Sequence, residues 1–298
     1  MTAPWHIRWL KLEDGPWKVT HGAGIKVALL DSGVGKIRAL TQERVRRLSH
    51  DGEPIEPTDR SADSHGTSVA GIVASVDKRI LGIAPEADYS AFLVYGVDGR
   101  PADFRVKAAL RKATELAVDV VCCTFTLPQA DDELRSAITG LAAAGIPVIV
   151  SAGNSAQQRD EFPETVPGLI TVAAHNPDGR LLPNSRYGDW TTIAAPGMRI
   201  TTWKSSGQED PLFSGTSAAA PLLTGVVTLA LAQALAVGGE AGRDAVKLAL
   251  ADLLVETSER RGPVPLLAAG AFYDAAVAMA QPKTKSRSRS KSKSKSRN

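Results

Sequence analysis

The sequence predicts an α/β fold: a single domain built on a mostly parallel central sheet with helices on both faces. Three observations lead there. Apolar runs of strand length alternate with helix-like stretches through most of the body. Several of those runs are continuously apolar instead of alternating, as parallel strands covered on both sides must be. No linker or internal repeat interrupts the pattern before residue 282.

The first strand is expected at 25–30 (IKVALL), where the apolar run ends in Asp31 and a glycine-bearing turn, DSGVGK. Further strands are expected at 89–95 (YSAFLVY), 118–124 (VDVVCCT), 146–151 (IPVIVS) and 169–174 (LITVAA). Helical patterns fill the intervals at 65–76, 103–117 and 131–144. The last opens on acids and stops at a glycine, the start and stop signals of a helix. Beyond residue 200 come a small-residue helix at 217–236, with Pro221 read into its first turn, a second at 240–255, and a terminal one near 270–281.

Composition sets the outer limits. With 43% hydrophobic and 22% charged residues, the body is neither a disordered nor a membrane sequence. No apolar run is read as reaching the ~18 residues of a membrane helix. The N-terminal MTAPWHIRWLKLEDGPWKV places acids and tryptophans where a secretory signal needs a continuous apolar core, so the expected location is cytoplasmic. The two cysteines, Cys122 and Cys123, are adjacent on a strand and point to opposite faces, which disfavours pairing and fits buried free thiols.

Residues 282–298 (PKTKSRSRSKSKSKSRN) carry eight Lys/Arg and no acid. Set against the total of +3, those eight charges leave the rest of the chain at −5. This run is expected to be disordered. It could contact an acidic partner, nucleic acid or anionic lipid by screened attraction, or be only a solubilising tail. The expected division is therefore a folded domain over 1–281 and a basic tail over 282–298.

The stretch SGVGK after the first strand raises the question of a phosphate loop. Such a loop needs glycine five residues before the GK glycine and Ser/Thr after the lysine. Those positions hold Leu30 and Ile37. HGAGIKV (21–27) precedes the strand instead of following it, so it is no dinucleotide fingerprint either. What survives is Asp31 at the C-terminal end of a buried parallel strand, where open α/β sheets place their sites.

Three other stretches supply matching chemistry. DSHGTSVAGIVAS (63–75) contains His65, VIVSAGNS (148–155) contains Asn154, and FSGTSAAAPLLTG (213–225) contains Ser217. A serine hydroxyl needs a base to take its proton, and histidine does that near neutral pH. The histidine needs an acid on its other nitrogen to fix its tautomer. The tetrahedral oxyanion needs donors, which an Asn amide and N–H groups at a helix start provide. Singly, each residue also reads as a turn or cap residue. Together and in this order they read as a constellation.

The chain resembles the catalytic domain of a subtilisin-like serine protease. The resemblance rests on the Asp segment (27–34), the His segment (65–71), the Asn segment (151–154) and the Ser segment (215–221), and covers about 17–280. It implies a serine endopeptidase acting on peptide or protein substrates through an acyl-enzyme. In it Asp31 orients, His65 is general base then acid, Ser217 is the nucleophile, and Asn154 donates to the oxyanion with the Ser217 N–H. The rival reading is a catalytically silent peptide- or protein-binding module of the same fold.

The departures are specific. A second His three residues after the first is replaced by Ser68, with no effect expected on chemistry. The loop 75–82 (SVDKRILG) is short and has Lys78 and Arg79 among the calcium-ligand positions, so the family-type calcium site is expected to be truncated, with no metal and no cofactor. The expected substrate walls are Thr124, Phe125 and Thr126 on one side, and Gly99, Arg100 and Pro101 on the other. Ser151, Ala152 and Gly153 join them, and Glu161 is a candidate for the pocket floor. Thr126 replaces the family's glycine, and Pro101 removes a backbone donor. These changes point to narrow specificity. The short distance from Met1 to Asp31 is read as leaving no room for the family's propeptide, unless one was removed; the oligomeric state is left open.

Overall fold

The structure, a computed structural model, describes residues 3–127, 130–155, 162–163, 166 and 168–282. Seven strands form the central sheet: β1 (Lys26–Asp31), β3 (Val45–Ser49), β5 (Asp88–Leu93), β6 (Val120–Cys123), β7 (Val148–Ser151), β8 (Ile170–His175) and β9 (Ile193–Pro196). Their order is β3-β5-β1-β6-β7-β8-β9, with every pairing parallel. Two small antiparallel pairs lie outside it: β2 (Gly33–Val34) with β4 (Thr58–Asp59), and β10 (Ile200–Trp203) with β11 (Glu209–Phe213).

The helices are α1 (Trp5–Trp9), α2 (His65–Ala74), α3 (Asp103–Glu115), α4 (Asp132–Ala143), α5 (Thr216–Leu248), α6 (Leu250–Glu256) and α7 (Ala269–Ala280). They cover both faces, so the strands bury side chains in both directions and read as unbroken apolar runs. Val27, Leu29 and Cys122 share one core with residues of α2, α5 and α7. Ala28, Leu30 and Cys123 share the other with residues of α3 and α4. The adjacent cysteines thus lie on opposite faces, both free and buried.

All five expected strands and the main helices form, with ends shifted by a residue or a few. The edge strand β3 (VRRLS) is missing from the sequence expectation because its two arginines break the apolar run. Two corrections concern α5. It begins at Thr216, so Pro221 sits inside the helix beyond the first turn, where its missing N–H leaves the Ser217 carbonyl without an intrahelical donor. By length and composition α5 is also apolar enough to cross a membrane, against the sequence expectation. Here it is the core helix: 78% of its most apolar window is buried inside the fold. Gly239, with φ 63°, marks the break between the two helical stretches expected from sequence.

Parallel pairing brings every strand's C-terminal end to the same edge. Asp31 ends β1, Thr124 follows β6, and Ser151 ends β7, all on neighbouring strands.

Burial pushes the Cys122 thiol up to about 12 and Cys123 well above the ordinary range. Neither thiol is therefore expected to react with a disulfide reagent at pH 8 in the folded protein, and both should react in denaturant. Rapid native titration of either would contradict this packing.

Candidate active site

Asp31 is 3% exposed, so its carboxylate must find its donors inside the protein. Oδ1 accepts the Ser32 N–H at 2.6 Å and faces His65 Nδ1 at 2.8 Å, while Oδ2 accepts the Thr124 hydroxyl. Three donors from three chain segments thus fix one carboxylate.

His65 is the first residue of α2. The helix can come this close because Gly66 follows. A Cβ there would lie 2.2 Å from the Gly33 carbonyl oxygen and 3.1 Å from Asp31 Oδ1. Burial alone would push Asp31 up and His65 down, but their mutual charge and hydrogen bond outweigh it. Asp31 is held below the usual carboxylate range, helped by Thr124 and Ser32. His65 is raised to about 9, with smaller contributions from Asp63 and Asp59.

Ser217 is the second residue of α5, 7% exposed. Its hydroxyl donates to the Thr124 carbonyl at 3.3 Å. Thr124 therefore touches both ends of the constellation, Asp31 through its side chain and Ser217 through its main chain. Nucleophile–base contacts commonly tighten only once substrate binds. The Ser217 N–H lies in the first helical turn, where no carbonyl four residues back belongs to the helix.

Asn154 follows β7 and is exposed. Its Oδ1 accepts the Thr216 N–H at 2.9 Å and the Thr216 hydroxyl at 3.2 Å, which leaves the Nδ2 hydrogens to donate outward. Gly215, with φ +108°, permits this: a Cβ would sit 2.8 Å from Asn154 Oδ1. The Gly153 N–H also donates to the Thr216 hydroxyl, at 3.1 Å. The result is a serine hydroxyl, an imidazole–carboxylate pair and two N–H donors at one sheet edge, a set capable of acyl transfer.

The expected substrate residues divide into two groups. Thr124 is spent on Asp31 and Ser217 instead of facing a substrate with its side chain. Phe125 is 5% exposed, stacked on Phe162 at 6.3 Å and edge-on to Tyr95 at 6.5 Å, so it belongs to the core. Ser151, Ala152 and Gly153 are buried at the end of β7, whereas Thr126 is half-buried with its methyl against Gly153. Gly99, Arg100 and Pro101 lie on a hairpin closed by its own bonds: Gly96 N–H to Arg100 O at 2.7 Å and Ala102 N–H to Val94 O at 3.0 Å. The Pro101 position therefore pairs with Tyr95. Arg60 donates to the Tyr95 carbonyl at 2.7 Å and ties the hairpin to the segment before His65. Glu161 lies outside the described residues.

In the loop 75–82 the one carboxylate, Asp77, is already engaged by the Arg79 main-chain N–H and guanidinium at 2.9–3.1 Å. Ser68 lies on α2, as expected, its hydroxyl on the Trp203 carbonyl at 3.1 Å. Sequence reasoning passed over Ser32, Asp59 and Thr67, which brace Asp31 and His65. Their signal was faint, since Ser and Thr beside a catalytic residue also read as turn and cap residues.

Comparison with known proteins identifies the family. Residues 22–282 match the Subtilase family, and the chain belongs to it. Subtilisin BL of Lederbergia lenta is 28% identical over 230 residues, covering 76% of this chain and 84% of that protein. The thermostable alkaline protease of Halalkalibacterium halodurans is 29% identical over 232 residues, 76% of this chain and 62% of that one. An intracellular serine protease of Paenibacillus polymyxa is 30% identical over 223 residues, 72% and 68% respectively. The crystal structure of a cold-adapted subtilisin-like serine proteinase superposes with a TM-score of 0.71 over 84% of this chain and 90% of that one. At 22% identity it speaks for the fold. The chain is thus a serine endopeptidase of the subtilase family.

Because the charged imidazole is favoured in the folded protein, the neutral base forms only as pH rises. The kcat/KM profile is expected to climb through a midpoint above the ordinary histidine value, toward 9. The stability drawn from the Asp31–His65 pair is full between the ordinary carboxylate value and about pH 6.5; it is lost as pH rises through the folded His65 value and as pH falls through the depressed Asp31 value. Replacing Thr124 by Val removes a donor to a buried charge and should lower kcat/KM by about 10–100-fold. A change under twofold would show that Thr124 is dispensable.

Proposed function

We propose that this subtilase hydrolyses peptide bonds with Ser217 as nucleophile, His65 as general base then acid, and Asp31 as the orienting acid. The observation that carries the reading is the 2.8 Å Asp31–His65 contact, linked by Thr124 to Ser217 at the start of α5. Ser217 Oγ attacks the scissile carbonyl carbon as His65 Nε2 takes its proton. The oxyanion accepts from the Ser217 N–H and Asn154 Nδ2. His65 returns the proton to the leaving amine as the C–N bond breaks, giving the acyl-enzyme, and water repeats the sequence. No step requires a metal or cofactor.

The proposed specificity is narrow. In support, the hairpin 94–102 spends the Gly96, Gly99 and Ala102 N–H groups on its own carbonyls and is tied down by Arg60, leaving less edge for an extended substrate to pair with. The branched Thr126 crowds Gly153 on the other wall. The basic run 282–298 is proposed to hold the enzyme near an acidic partner, nucleic acid or anionic lipid.

A fluorophosphonate probe should label the folded protein and fail to label Ser217→Ala. An unlabelled parent would favour the silent binding module instead. Asn154→Ala should lower kcat by about 10²–10³ with little change in KM, the loss typical of removing one oxyanion donor. Purified protein should cut few sites in unfolded casein; broad, rapid digestion would refute narrow specificity. Deleting 282–298 should abolish salt-sensitive retention on a polyanion column, and unchanged retention would remove the tail from that role.

A further inference from the structure

We infer that Asp59 is a positioning residue for the reaction, holding the exit of β1 and the start of α2 in register through one carboxylate. The inference rests on the reading of Ser217, His65 and Asp31 given above. Asp59 ends β4 and pairs with Gly33 of β2, two residues after Asp31. Its two oxygens divide between the catalytic elements. Oδ1 accepts the Ser32 hydroxyl at 2.7 Å and the Ser61 N–H at 3.1 Å. Oδ2 accepts the Thr67 N–H at 2.8 Å and the Thr67 hydroxyl at 2.6 Å.

Ser32 and Thr67 are the immediate and next-but-one successors of Asp31 and His65. Each passes the contact on. The Ser32 oxygen accepts the Gly66 N–H at 2.9 Å, and the Thr67 oxygen accepts the Gly35 N–H at 3.0 Å. The result is a closed set of bonds in which the segment bearing Asp31 holds the helix bearing His65 and is held by it in return.

The local sequence explains why a distant carboxylate is needed. The residue before α2, Ser64, occupies the usual capping position but has φ 65° and makes no side-chain cap. Its hydroxyl turns to Ser205 at 2.7 Å instead. The N–H groups of Gly66 and Thr67, which a capping side chain would normally serve, are taken by Ser32 and Asp59. The cap therefore comes from outside the helix and from the loop that carries the catalytic acid. A helix capped this way cannot shift without disturbing Asp31.

Charge type matters as well as shape. All four groups facing Asp59 donate, and an ionised carboxylate has four acceptor sites and no proton. An asparagine of the same shape would turn N–H groups against N–H and O–H groups. The negative charge also adds to those of Asp31 and Asp63 around the His65 imidazole. Its loss should therefore lower the pH at which the base becomes competent, as well as misplace it.

The test uses the full chain, a chromogenic peptide and the fluorophosphonate probe, with Asp59→Asn and Thr67→Val. Asp59→Asn should lower kcat by about 10–100-fold, the scale of hydrogen bonds to a charged group, with KM changed less than threefold. The acid-side midpoint of kcat/KM should move to lower pH. Thr67→Val, which removes only the hydroxyl, should give a smaller kcat loss of about threefold to tenfold. If Asp59→Asn fails to fold, Thr67→Val decides. Parental kcat in the variant that decides overturns the inference. So does a rate loss that matches the loss of folded protein with the acid-side midpoint unmoved, because that is what a merely stabilising residue would show. An unlabelled parent would sink the Ser217 reading and this inference with it. A labelled parent with Asp59→Asn labelled at the same rate sinks this inference alone.

Discussion

The burial of the Asp31 carboxylate is the constraint from which the site follows. A lone charge in that environment would cost several kcal/mol, and the fold meets it with donors, not water. The donors come from the next residue in the chain, from the helix that begins at His65, and from Thr124 at the end of the adjacent strand. No two of these donors are near each other in sequence, and only Ser32 is near Asp31. A parallel sheet is what makes their meeting possible, because it delivers the ends of β1 and β6 to one edge with fixed register. The geometry of the candidate site and the satisfaction of a buried charge are thus one arrangement.

Close backbone approach is the second requirement. Helix α2 meets the β1 exit at a separation that no side chain on residue 66 would allow, and α5 meets Asn154 across Gly215 in the same way. At both places glycine lets a helix start reach the sheet edge. N–H groups that a helix leaves unpaired are then available, in one case to bind Ser32 and Asp59 beside His65 and in the other to serve the proposed oxyanion site. The glycines of the Asp segment belong to this logic too. They let the chain turn away after Asp31, and Lys36 at the end of the stretch is solvent-exposed.

Much of this was legible in the sequence, for identifiable reasons. Strands buried on both faces leave continuous apolar runs, so β1, β5, β6, β7 and β8 were visible. Asp31, His65, Asn154 and Ser217 were legible only as a set, because each alone also reads as a turn or cap residue. The edge strand β3 was hidden by Arg46 and Arg47, and the membrane-length apolarity of α5 by its many small residues. Thr124 and Phe125 were expected in a substrate wall; their side chains are claimed by Asp31 and by the core, which leaves their main chain for that role. Position along a strand end does not say which way a side chain is claimed. Asp59 was illegible for a stronger reason: its partners at 32 and 67 become neighbours only when β2 pairs with β4.

Arg47 shows how such braces are shared out. It is 7% exposed, and its guanidinium donates to four main-chain carbonyls, of Val34, Gly35, Leu40 and Val45, at 2.8–3.3 Å. Two of those carbonyls lie in the turn that follows Asp31. Burial lowers its pKa, although an arginine remains charged throughout the working range. The turn is therefore held on one side by a cation that binds carbonyls and on the other by the Asp59 carboxylate, which binds hydroxyls and N–H groups. Opposite charges serve the two polarities of the same backbone, and neither needs the other as a partner. Loop residues that stand alone would wander by more than a reacting serine and histidine can tolerate. Braced from both sides, the turn gives Asp31 the rigidity of the strand it leaves.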